Sequence, residues 1–175
     1  MTNKEIAELL QKNHQEFIDL IKGLKEEDFC YAPTDKWSAA QQLDHLVRSV
    51  QPVNMAIALP KMILQLLFGK ANRPSKTYDE LIAKYQNKIQ EGAKASGRFI
   101  PPTVGLAQKE NLLKRLGELV NSLSKKTSGQ SEESLDKYIL PHPLLGKLTL
   151  REMLYFTAYH VHHHQTIVER DLKNK

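Results

Sequence analysis

Apolar residues recur along most of this chain at intervals of three and four, the period of a helix with one buried face. Ile6, Leu9, Leu10, Phe17, Leu20, Ile21 and Leu24 trace the first stripe, and Thr2 with Glu5 makes a capping box ahead of it. That spacing predicts a helix over residues 3–22, ending near Gly23. His14 falls away from most of the stripe and reads as a surface residue. Residues 25–36 are a charged loop containing a proline. Ser38 with Gln41 is a second capping signal, and Leu43, Leu46, Val47, Val50, Val53 and Ile57 carry a second helix past Pro52, a possible kink. Residues 55–68 are strongly apolar but broken by Pro60, Lys61 and Gln65, and too short to span a bilayer; core or a subunit interface is the expected fate.

Gly69 to Ser75 is a loop, followed by a short amphipathic helix over 78–92. Pro101 and Pro102 end this region. Leu112, Leu113, Leu116, Leu119, Val120 and Leu123 mark a further helix, closed by the stretch 125–129. Residues 130–147 read as irregular, with His142 stiffened between Pro141 and Pro143: a solvent-facing loop residue, or part of a stiff loop over the mouth of a site. Thr149 with Glu152 then opens the last helix. No stretch alternates like a strand and no repeat is visible. The prediction is an all-α four-helix bundle, one domain over residues 1–175, with an additional short helix in the insertion between the second and third bundle helices.

Composition narrows the function classes more than it selects one. The chain has 175 residues, 41% hydrophobic, with a net charge of +5. It carries no basic block denser than Lys125-Lys126 and no recognition motif, so a solvated basic surface is expected and not a nucleic-acid partner. A single cysteine, Cys30, excludes an internal disulfide and suits a reducing, cytoplasmic compartment. Between Phe29 and Tyr31 it is expected to be half-buried packing and not a nucleophile. The first five residues have no apolar core of the kind a signal peptide needs, and neither a signal peptide nor a membrane partner is expected.

The chemistry concentrates in the last helix, in Tyr159-His160-Val161-His162-His163-His164-Gln165. With Leu150 at zero and about 100° per residue, Leu154, Val161 and Val168 cluster within roughly 40° of zero. His164 falls near roughly 320° and His160 near roughly 280°, on the buried side; His162 faces water and His163 lies at the boundary. Two imidazoles four apart on a buried face are either hydrogen-bonded core residues or a pair of metal ligands, the spacing of HExxH zinc sites. The glutamate of HExxH is absent, which rules out the zinc-protease reading. On the second helix, His45 falls near roughly 200° while the apolar stripe centres near roughly 330°, so by periodicity it is a boundary residue beside Gln42 and Ser49. Gln42 and Glu152 are polar and near the relevant helix ends, with nothing to make either a general base.

Taken together, Trp37-Ser38, His45-Leu46, the run from His142 to Thr149 and the run from His160 to Gln165 resemble the DinB-like superfamily in order and separation over nearly the whole chain. The resemblance implies a four-helix bundle whose divalent metal, zinc or nickel, is held by three histidines: one from the second helix and two from an HxxxH on the last. His45, His160 and His164 occupy those positions, and His162 and His163 match family histidines that are not usual ligands. Characterised relatives include transferases of bacillithiol and mycothiol and a thiol-dependent isomerase; older family labels say metal-dependent hydrolase. The function so implied is a metal-dependent transferase of a low-molecular-weight thiol onto an electrophilic small molecule. A metal-dependent hydrolase and a non-enzymatic metal-binding stress-response protein are the alternatives. A homodimer through residues 55–68 is the expected assembly.

Overall fold

The computed structural model describes all residues 1–175. Eight α-helices follow one another as α1 (Asn3–Gly23), α2 (Glu26–Phe29), α3 (Ala39–Ala56), α4 (Lys61–Phe68), α5 (Tyr78–Gln90), α6 (Lys109–Ser128), α7 (Glu132–Lys137) and α8 (Leu150–Lys173). The four long ones, α1, α3, α6 and α8, form the bundle: α1 and α3 each pack against both α6 and α8. Their facing stripes merge into one core of 34 buried residues, among them the fully buried Phe17, Leu43, Leu46, Leu116 and Leu123. Each fully buried leucine contributes about 2 kcal/mol of apolar transfer to the folded state.

The three predicted capping boxes are present, at Thr2–Glu5, Ser38–Gln41 and Thr149–Glu152, with side chain and backbone exchanging hydrogen bonds at each. A fourth, Thr77–Glu80, opens α5. The insertion between α3 and α6 is richer than one short helix: it holds α4, α5 and two short 3₁₀ turns, Gly97–Phe99 and Leu106–Gln108.

Three expectations are corrected. The stretch 130–147 is not irregular: it contains α7 and a hairpin of β1 (Ile139–His142) and β2 (Gly146–Thr149), antiparallel, with Ile139 opposite Thr149 and His142 opposite Gly146. Four-residue strands carrying Pro141 are too short for alternation to show. Gly146 closes the turn at φ 77°, a left-handed conformation that glycine adopts without strain. His14 is not on the surface but fully buried: it lies four residues from Leu10 and three from Phe17, at the edge of a stripe that packs against both α6 and α8. Its Nδ1 donates to Leu10 O at 2.8 Å, and burial pushes its pKa down to about 4. Cys30, expected half-buried, is exposed, because it caps the C-terminus of the one-turn α2.

The apolar segment 55–68 gives only Ile57 and Leu64 to the buried core. Of α4 only Leu64 is buried, while Met62 is 84% and Leu66 85% exposed. No single helix is long and apolar enough to cross a membrane.

Candidate metal centre

α8 is buried along most of its length because the hairpin, α5 and α7 cover it in addition to the bundle helices. His160 and His164 therefore point inward, His162 is exposed and His163 half-buried, as the helical phase predicts. His45 departs from its expected place at the boundary: it is 5% exposed and meets both of them. The phase argument assumed that α3 has one buried face. In fact, every residue from Gln42 to Val47 is buried, since the insertion and Trp37 cover the second face. The 3₁₀ turn Gly97–Phe99 lies against α3, and the Trp37 ring stands 5.0 Å from that of His45.

The structure brings one ligand-capable nitrogen from each of His45, His160 and His164 within 4.8 Å of the others. His160 Nε2 lies 3.3 Å from His45 Nε2 and 2.9 Å from His164 Nε2. The second ring nitrogens of His45 and His164 are committed elsewhere. His45 Nδ1 donates to the carbonyl of Phe99 at 2.7 Å, and His164 Nδ1 donates to Gln42 Oε1. A neutral imidazole that donates through Nδ1 bears its lone pair on Nε2. Two lone pairs thus converge on the Nε2 of His160, whose single proton, if carried there, aims well at only one of them.

One cation satisfies all three. Metal–nitrogen bonds of about 2.0–2.1 Å hold neighbouring ligand nitrogens about 2.9 Å apart at a right angle and about 3.4 Å apart at the tetrahedral angle. The two separations, 3.3 and 2.9 Å, lie within that range. The Phe99 carbonyl and Gln42 are the partners that orient such ligands and fix their tautomer. Protonation is also suppressed. Burial, reinforced by the neighbouring histidines, holds His160 and His164 well below the usual imidazole pKa. Burial lowers His45 too, only partly offset by the Phe99 carbonyl. The residues present fit a divalent metal with imidazole ligands.

The cluster forms part of the wall of a cavity of about 730 Å³. Its lining is mainly apolar, including Trp37, Phe99, Leu140, Met153 and Phe156, and four cations, Lys36, Lys94, Arg98 and Arg170, also border it. Phe156 stacks on His160 with ring centroids 4.7 Å apart and holds that ligand's plane. Tyr85 meets His160 and His163 edge to face. Asp171 also borders the cavity but is paired with Lys36 at 3.2 Å and with Arg170 at 2.9 Å.

Of the polar residues named from sequence, Gln42 belongs to the cluster, and Glu152 does not. Glu152 is fully buried, accepting from Arg73 at 2.6 and 2.9 Å and from the amides of Lys76 and Thr149. Burial raises its pKa, but these donors together bring it below the ordinary carboxylate value. It pins the insertion to α8. Periodicity gave no sign of the Phe99 carbonyl, a backbone group brought in from 54 residues away. Gln42 had one: it lies three residues before His45, on the same side of the helix.

A family model described as the DinB superfamily matches residues 8–168, nearly the whole chain. No curated protein matches it.

Proposed function

The chain belongs to the DinB superfamily, and on that premise we propose that it is a metal-dependent transferase, joining a low-molecular-weight thiol to an electrophilic small molecule. His45, His160 and His164 hold one divalent ion, zinc or nickel, both suited to imidazole ligands. The observation that carries this reading is the convergence of three oriented imidazole nitrogens on the wall of a cavity large enough for a small-molecule ligand.

A divalent ion with three protein ligands and an open position acts as a Lewis acid, making a thiolate available at neutral pH, where a free thiol of pKa about 8.5 is mostly protonated. The chain supplies the rest. Phe99 O and Gln42 orient His45 and His164, and Phe156 holds His160 by stacking. Trp37, Phe99 and Phe156 line the cavity with apolar surface that excludes water from an apolar electrophile. Lys36, Lys94, Arg98 and Arg170 bring positive charge to it, complementary to the carboxylates that small cellular thiols carry.

The cluster's own polar neighbours are the Gln42 amide, the Phe99 carbonyl and the Ser49 hydroxyl, which lies 3.5 Å from His45 Nε2.

The test is to incubate metal-loaded protein with bacillithiol, mycothiol, glutathione or cysteine and 1-chloro-2,4-dinitrobenzene. Conjugate should form faster with at least one thiol than in metal-free or His164→Ala protein. Acceleration of none, with cleavage of a panel of esters, would replace this reading with the hydrolase. Inertness toward both panels with the metal retained would leave a metal-binding protein without turnover.

A further inference from the structure

His142 takes no part in the metal cluster, yet its surroundings fix its chemistry. It ends β1, between Pro141 and Pro143, and its Nδ1 accepts the amides of both Leu144 and Leu145 at 3.1 Å. Lys84, from α5, grips the same turn by donating to Leu145 O at 2.8 Å. The ring packs edge-on against Phe156, centroids 4.2 Å apart, and Phe156 in turn stacks on His160. An imidazole that accepts two amides at Nδ1 carries its proton on Nε2.

That Nε2–H has no acceptor within the protein. It is not sealed in the core either: five buried side-chain atoms lack partners, His14 Nε2 among them, and His142 Nε2 is not one of these. His142 borders the cavity. A donor fixed in direction by two amides and a ring contact, and left without an acceptor, is therefore presented to whatever fills that space.

We propose that His142 is a substrate-binding residue whose Nε2–H donates to a carbonyl-type oxygen of the molecule held in the cavity, selecting electrophiles that bear such an oxygen. The inference rests on the reading of this cavity as the substrate site and narrows its substrate class. Burial and the nearby Lys84 push the His142 pKa down to about 4, so the ring stays neutral near pH 7 and offers a directed N–H without a competing charge. A preset donor facing a mainly apolar cavity discriminates between ligands that differ only in an acceptor oxygen, since it goes unpaired with the wrong one.

Acetophenone and ethylbenzene, close in shape but with and without the carbonyl, test this with the metal-loaded full-length protein and no thiol. Acetophenone should bind about fivefold more tightly, the worth of one neutral hydrogen bond. It should also move the ¹⁵N and ¹H resonances of His142 Nε2–H. In His142→Phe, which keeps the packing on Phe156, the preference should vanish while binding of ethylbenzene, which never used that hydrogen bond, changes less than about twofold. His142→Asn is the control for turn integrity. Its side-chain oxygen can still cap the Leu144 and Leu145 amides as in an Asx turn, while its amide stops short of the cavity, and it should lose the preference as well. Equal binding of the two probes by the unsubstituted protein, or a preference that survives both substitutions, would overturn the proposal. Binding needs no turnover, so a preserved preference without conjugate formation would refute the transferase reading and leave this one standing.

Discussion

At the scale of single residues, histidine chemistry is sorted by environment. Seven histidines are present. His162 faces solvent, three converge at Nε2, and His14 is entombed with Nε2 unpartnered. The burial of His160 and His164 was legible from helical phase, because α8 presents one continuous stripe. That of His45 was not, because it depends on a turn, Gly97–Phe99, whose approach leaves no periodic trace in α3. His14 carries a pH prediction. Its folded pKa, about 4, lies below the unfolded value near 6.5, so the unfolded chain takes up the proton first. Stability is then complete above about pH 6.5 and is lost as the pH falls through the window toward 4, by about 2 kcal/mol at pH 5. Urea unfolding of His14→Leu at pH 7 and pH 5 should show a fall smaller than that of the unsubstituted protein by about this amount. An identical fall in both would mean that His14 is protonated without cost in the folded state.

Among the elements, the capping boxes and stripes located the long helices to within a few residues, since those signals lie within each helix. The short pieces escaped notice. The hairpin is too short for period two to emerge, and α4 shows no buried stripe because it buries little. What ties the insertion to the bundle is a polar anchor, Glu152 with Arg73, made between residues 79 apart. Arg73→Ala leaves the fully buried carboxylate with only amide donors and one distant lysine, Lys76 at 4.0 Å. Because Arg73 is itself partly exposed, the expected loss is about 1–3 kcal/mol, below that of a wholly buried pair. Denaturant unfolding measures it. An unchanged midpoint would show that the amides alone satisfy Glu152.

On the scale of the whole molecule, the bundle gives α3 and α8 as the rigid support of the histidine cluster, while the insertion and hairpin shape the space beside it. The end of α3 and the following α4 leave Met55, Met62, Leu66 and Leu67 exposed within a short stretch of chain. Apolar side chains so grouped are costly to leave in water, and we propose that they pack in a homodimer. Light scattering should give twice the chain mass, with Leu66→Glu shifting the protein to monomer. A monomer at high concentration in the unsubstituted protein would count against this.

The central claim is that His45, His160 and His164 together hold one metal ion. Elemental analysis of purified, metal-loaded protein and its variants tests it most directly. The unsubstituted protein and His162→Ala should each retain about one divalent ion per chain, while His45→Ala, His160→Ala and His164→Ala should retain almost none. Full occupancy in His164→Ala, with the helical circular dichroism intact, would contradict it.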